Sequence, residues 1–161
     1  MASHQSEAPA AADWAGERGR KWVEHLAPTE TMLAPVSEPL LEALSLDGAM
    51  RVGDIGCGGG RTTRAIAVRL PQDAVVHGID ISHDVIEAAR AAWREAHESP
   101  LEAGRARAKT DFFCADAGSS PPPAPAYDRL TSRFGVMFFT DPPAAFTNLA
   151  GWLRPGGRFA F

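Results

Sequence analysis

Asp54-Ile55-Gly56-Cys57-Gly58-Gly59-Gly60 joins a carboxylate to a glycine cluster at the end of a short apolar run, and a helix-like stretch over residues 61–70 follows. The pattern reads as strand, tight turn, helix. Glycines at 56, 58 and 60 let the backbone turn without Cβ clashes and let a ligand lie against bare peptide. The N–H groups that open the following helix point back at the turn. Asp54 stands where a carboxylate reaches the ligand or braces the loop. Asp80 closes a second apolar run, 26 residues after Asp54. In a strand–helix–strand unit the ends of adjacent parallel strands lie side by side, so Asp80 comes close to the glycine turn. Its chemistry suits the two hydroxyls of a ribose. Its other use is to cap the next helix, which Ser82 or Asp84 serves equally well. Asp116 follows a third run, at a place where aspartate before a turn is common for structural reasons alone.

Other reactive side chains are sparse. The five histidines are His4, His25, His77, His83 and His97. Only His25 and His83 fall where they approach the glycine turn, and surface or packing roles explain both. No general base is assigned, so the catalytic residues stay unknown. Cys57 lies in the loop beside a helix N-terminus that would lower its pKa, although a small buried residue is the better reading. No group of His, Cys or carboxylates has metal-ligand spacing, so no metal is expected.

Composition narrows the class. The chain has 161 residues, 45% of them hydrophobic and 22% charged, which predicts one soluble globular domain. A net charge of −4, with 16 scattered Lys and Arg, gives no footprint for nucleic acid. No apolar stretch approaches the ~20 residues of a membrane span. The first twenty residues lack the apolar core of a signal peptide. The two cysteines, Cys57 and Cys114, form no disulfide framework, and a reducing cytoplasm is the expected location.

The elements that must position the aspartates follow in order. Residues 1–12 read as a flexible tail. Residues 14–26 predict an amphipathic helix ended by Pro28, and residues 35–46 a second helix that stops at Asp47-Gly48. Strands are predicted at 50–55, 74–80 and 109–114, with a helix at 84–98 and a polar connection from 98 to 108. The second run is nearly all apolar, as a strand covered on both faces should be. Residues 118–126 form a stiff proline-rich connector. A fourth strand is predicted at 127–133, continued by apolar residues 134–139. Thr140-Asp141-Pro142-Pro143 caps a helix running to Leu153. Residues 154–158 then turn, and Phe159-Ala160-Phe161 opens a fifth strand.

Asp54-Ile55-Gly56-Cys57-Gly58-Gly59-Gly60 resembles the first motif of class I methyltransferases that use S-adenosylmethionine (SAM). Tyr127-Asp128, Ser132-Arg133-Phe134-Gly135-Val136-Met137-Phe138-Phe139 and Leu153-Arg154-Pro155-Gly156-Gly157 are similar to small-molecule methyltransferases of the ubiquinone/menaquinone-biosynthesis type. The resemblance covers residues 14–161. It implies an α/β fold: a Rossmann-like three-layer sandwich on a mainly parallel sheet in the order 3-2-1-4-5. The resembled fold runs to seven strands. Strands 6 and 7 are therefore expected to be lacking, and with them much of the acceptor pocket. Residues 13–161 become the SAM-binding domain, with cap helices over 14–46 and Trp14 and Trp22 as lid candidates.

The resemblance also implies the contacts. SAM would be held by Asp54, Gly56, Cys57, Gly58, Gly60, Asp80, Ile81, Asp116, Ala117 and Ser132. Ile81 would pack on the adenine, Asp116 would accept from its exocyclic amine, and the Ala117 backbone would meet the ring edge. The expected activity is in-line methyl transfer to a small molecule. The partners are that acceptor, no nucleic acid, no membrane span, and a possible homodimer through the sticky fifth-strand edge. A non-catalytic SAM-binding module is the alternative. An NAD(P)-dependent oxidoreductase fits less well, because Gly-x-Gly-x-x-Gly counted from Gly56 puts Arg61 at the third position. Asp141-Pro142-Pro143 also resembles an Asp-Pro-Pro-aromatic motif of nucleic-acid amine methyltransferases. Ala144 replaces the aromatic, and helix capping accounts for the rest.

Overall fold

The computed structural model describes residues 11–98 and 107–161. The elements are α1 (Ala11–Ala15), α2 (Glu17–Glu24), α3 (Leu26–Leu44), β1 (Arg51–Ile55), α4 (Arg61–Ala67), β2 (Val75–Asp80), α5 (His83–Glu98), β3 (Lys109–Cys114), β4 (Tyr127–Thr131), the 3-10 turn η1 (Gly135–Phe138), α6 (Pro142–Trp152) and β5 (Leu153–Ala160). Most of the tail expected over 1–12 and of the connection expected over 98–108 lies outside the described residues, and Ala11 and Ala12 of the expected tail already belong to α1.

The five strands form one parallel sheet in the order β3-β2-β1-β4-β5, as the resemblance implies. One face packs Val52 and Val76 against Leu40, Leu41 and Leu44 of α3 and Ile66 and Ala67 of α4. Across the sheet, Ile55, Ile79, Tyr127 and Leu130 meet Leu149 and Trp152 of α6. The β3–β4 connection contains no helix. Its proline-rich loop is instead tied to α6, where Asn148 Nδ2 donates to the carbonyls of Ala117 (2.9 Å) and Ser120 (2.8 Å). The β2–β3 end of this face is therefore thinly covered. Val75 and His77 are only half-buried and Phe113 is 44% exposed, so β2 is not sealed on both faces as its apolar run predicts.

Three local expectations are corrected. Pro28 does not end a helix. It falls in the first turn of α3, where the N–H groups have no intrahelical acceptor in any case. The break comes instead at His25, between α2 and α3. The helix expected to begin at Pro35 is already under way, and Pro35 and Pro39 lie inside it. Burial of Leu40, Leu41 and Leu44 on the sheet outweighs two lost backbone bonds. Secondly, β4 ends at Thr131. Phe134 takes a left-handed φ of 68° and residues 135–138 coil into η1 rather than extending the strand.

Thirdly, the turn expected at 154–158, with Gly156 at a φ of 76°, lies within β5 as a bulge rather than ahead of it. Tyr127 pairs with Leu153 and Arg129 with Arg158, so β5 spends five residues where β4 spends two. Arg154 Nε reaches from the bulge to Asp128 Oδ1 at 2.6 Å, while Asp128 Oδ2 accepts from the N–H groups of Met50 and Arg51. Beyond the bulge Phe146, Phe159 and Phe161 pile together, with centroids 5.0 to 5.7 Å apart, and Phe161 is 69% exposed. The Asp141 cap stands as expected: its Oδ1 accepts from Ala144 N at 3.1 Å, with Pro142 and Pro143 in the first turn.

Candidate active site

A cavity of about 360 Å³ opens at the carboxyl ends of the strands. This rim is where parallel α/β sheets leave a crevice between diverging loops. Of the ten expected contact residues, Gly56, Gly58, Asp80, Ile81, Asp116 and Ala117 line it. Three different strands deliver them to one hollow.

The glycine loop takes its shape from residues with no Cβ. Gly56, Gly58 and Gly60 have φ of 63°, 55° and 74°, a region other residues seldom adopt. At Gly56 space matters as much as φ. An added Cβ would lie 2.7 Å from the Cα of Gly135, so the turn after β4 rests directly on the loop's backbone. Asp80 closes the other side. Its Oδ2 accepts from Gly58 N (3.1 Å) and its Oδ1 from Ser82 N (3.0 Å). Burial raises its pKa, opposed by the N–H groups of Ser82, Gly58 and Ile81. A carboxylate has about four acceptor sites, so these backbone donors leave acceptor capacity for a ligand. Asp116 Oδ1 accepts from Gly118 N at 2.9 Å and its Oδ2 from Ser119 Oγ at 2.7 Å. This is the turn chemistry weighed above, carried out at the cavity wall.

Four expected residues stand behind the wall. Asp54 is fully buried on the α4 side of the sheet, where its Oδ2 accepts from Thr63 Oγ1 at 2.6 Å. It braces the loop, the second of the two uses its position offered. Burial pushes its pKa up to about 7. A carboxyl held that high favours the fold while protonated, and that contribution is lost as pH rises through about 7. Cys57 packs among Ile86, Ala89 and Phe112, and burial pushes its thiol well above the ordinary range, opposite to the effect of a helix N-terminus. Gly60 begins α4 and abuts the Phe112 ring, 2.8 Å from where its Cβ would be. Ser132 Oγ accepts from Val136 N at 3.1 Å and pins η1.

The remaining wall was not foreseen in detail. Phe134, Gly135, Phe138 and Phe139 line the cavity from the β4 side, and Trp14, Trp22 and Leu33 from the N-terminal helices. Trp14 packs at a tilt against Phe138 at 4.6 Å and meets Trp22 edge-on at 5.7 Å, so the lid candidates join the two sides. The apolar run at 134–139 was the available signal, since so many aromatic residues must cover something. Arg133 also lines the cavity, but its guanidinium is committed. Nη2 meets Glu30 Oε2 at 2.5 Å and Nη1 donates to Ser37 Oγ at 3.0 Å. Neither His25 nor His83 lines the cavity. Among the described residues no group of His, Cys, Asp or Glu could hold a metal ion, and no helix is long and apolar enough to cross a membrane.

A parallel sheet in this order, with a glycine turn after β1 and an aspartate at the end of β2, defines a Rossmann-like nucleoside-binding domain. The chain belongs to the methyltransferase domain family, whose profile matches residues 53–161. It is 33% identical over 142 residues to an aklanonic acid methyltransferase of Streptomyces sp. (strain C5), covering 88% of this chain and 57% of that protein. It is 35% identical over 152 residues to a trans-aconitate 2-methyltransferase of Streptomyces avermitilis, covering 92% and 49%. The chain spans about half the length of these relatives. Among solved structures, the [4+2]-cyclase SpnF is 28% identical, with a TM-score of 0.61 over 76% of this chain and 42% of that one. The plantazolicin methyltransferase BpumL, solved with SAH, is 22% identical and shares the fold, with a TM-score of 0.63 over 89% and 52%.

Proposed function

We propose that the chain binds S-adenosyl-L-methionine and serves its methyl transfer to a small-molecule acceptor. The observation that supports this reading most is the meeting of Gly58, Asp80 and Asp116 in one cavity, each from a different strand end. The residues fit the cofactor. Gly56 and Gly58 leave bare backbone for it, Asp80 has acceptor sites left for the ribose hydroxyls, and Ile81, Asp116 and Ala117 surround the adenine. When bound, the cofactor supplies an activated methyl group. The protein's part is to align donor and acceptor and to exclude water, and the rings of Trp14, Phe134 and Phe138 do the excluding. No side chain needs to act as a base unless the acceptor must lose a proton.

The similarity to a [4+2]-cyclase favours keeping a second reading, a SAM-binding module without methyl transfer, because one fold hosts different chemistries. Calorimetric titration with SAM and with NADH tests the cofactor. SAM is expected to bind and NADH not, and Gly58→Val is expected to abolish SAM binding, since φ of 55° disfavours a β-branched residue and the new side chain enters the cavity. Undiminished binding by a folded Gly58→Val protein would show that the loop faces elsewhere. The two unpaired cysteines support a cytoplasmic location. The ring pile at Phe146, Phe159 and Phe161 supports a homodimer through β5, and a purely monomeric sedimentation profile at micromolar concentration would refute it.

A further inference from the structure

The indole N–H of Trp22 is a hydrogen-bond donor for which the described residues offer no acceptor. Trp22 lines the cavity from α2, and its Nε1 lies 3.5 Å from where a Cβ on Gly58 would be. The donor therefore stands directly over the glycine loop. It differs from the indole N–H of Trp14, which is also unpaired but shut away from solvent. The position of Trp22 is built. Gly19 brings α2 so close to the start of α5 that an added Cβ would lie 2.1 Å from Ser82 Oγ, and Trp14 stands edge-on to the Trp22 ring.

Two of the cations near this end of the cavity are already engaged. Arg64, in α4, donates to the Gly59 carbonyl at 2.9 Å. Arg133, in the wall, is held by Glu30 and Ser37. An anionic group arriving beside Gly58 thus finds the Trp22 indole N–H at hand, while the Arg64 and Arg133 guanidinium groups are held elsewhere. This inference rests on the cofactor reading above. If Asp116 and Ala117 hold the adenine and Asp80 the ribose, the methionyl end extends toward Gly58. We propose that Trp22 Nε1–H binds the carboxylate at that end, making Trp22 a cofactor-positioning residue. A hydrogen bond to a charged acceptor is about twice as strong as a neutral one, so one such donor is enough to register in affinity.

The test compares SAM with decarboxylated SAM, which lacks only the carboxylate, by titration calorimetry on the full chain. Trp22→Phe keeps the aromatic packing and removes the donor. It is expected to weaken SAM about 10- to 100-fold and to leave decarboxylated SAM within about twofold. Equal losses for both ligands, or none for either, would overturn the assignment. A second measurement needs no variant. The chain has four tryptophans, hence four indole N–H signals in a 15N-labelled sample. The Trp22 signal is expected to shift downfield with SAM and to stay in place with decarboxylated SAM, and the same shift with both ligands refutes the proposal even if Trp22→Phe fails to fold. Failure of the wild-type chain to bind either ligand is a different result, which removes the cofactor reading beneath.

Discussion

Asp80→Ala is expected to weaken SAM binding at least about 100-fold, the largest loss from removing any one polar group of the cavity. A carboxylate that accepts from both ribose hydroxyls makes two charge-assisted hydrogen bonds, each contributing about 1.5–3 kcal/mol, and 1.4 kcal/mol is tenfold in affinity. The geometry adds a second effect. Asp80 also accepts from the N–H groups of Gly58 and Ser82, so its removal loosens the glycine loop it is meant to complement. Stability is expected to fall as well, by about 1–3 kcal/mol, because two amides lose their acceptor. Sequence alone gives no reason to expect that second loss, since nothing in it shows the carboxylate bonded to the loop. Titration calorimetry with a thermal melt on the same protein separates the two. A folded Asp80→Ala protein with unchanged SAM affinity would remove the ribose assignment.

Glu30→Ala is expected to destabilise the fold by about 3–5 kcal/mol, read by urea unfolding. The Arg133 side chain is 7% exposed and that of Glu30 13%, so this ion pair lies away from the water that weakens surface pairs. Removing Glu30 leaves the Arg133 cation buried, with Ser37 Oγ as its remaining partner. Arg64 feels the change too, because burial disfavours its charge and Glu30 opposes that effect. Replacing both partners by apolar residues, Glu30→Met with Arg133→Leu, is expected to recover most of the loss, since the penalty comes from the orphaned charge. A loss below about 1 kcal/mol for Glu30→Ala would mean that the pair behaves as an exposed one. The pair also joins α3 to the end of β4, and α3 carries Leu33 to the cavity, so SAM affinity is expected to fall with stability.

What could be read from the chain divides along physical lines. The strand order came from the family resemblance, and the meeting of Gly58, Asp80 and Asp116 was legible because strand ends in a parallel sheet have little freedom. Once β1 and β2 are placed, their carboxyl ends are neighbours. The direction of individual side chains was harder. Asp54 lies in the glycine motif, yet period-two alternation turns it to the α4 face, two residues before the loop proper. Ser132 had a similar fate, because a hydroxyl just after a strand finds a local backbone partner more readily than a ligand. The prolines of α3 misled for another reason. Their cost is local and visible in the sequence, whereas the burial that outweighs it is tertiary. Arg133 and Glu30 are 103 residues apart, and no local rule connects them.

The contact between Gly56 and Gly135 carries a mechanical consequence. Backbone meets backbone there with no side chain between, so the seat for the donor and the shelf that bears Phe134 and Phe138 form one plate. A group introduced at either glycine acts as a wedge under both compartments at once. Screens that reshape the aromatic shelf for new acceptors should therefore leave these two positions alone and vary the rings above them.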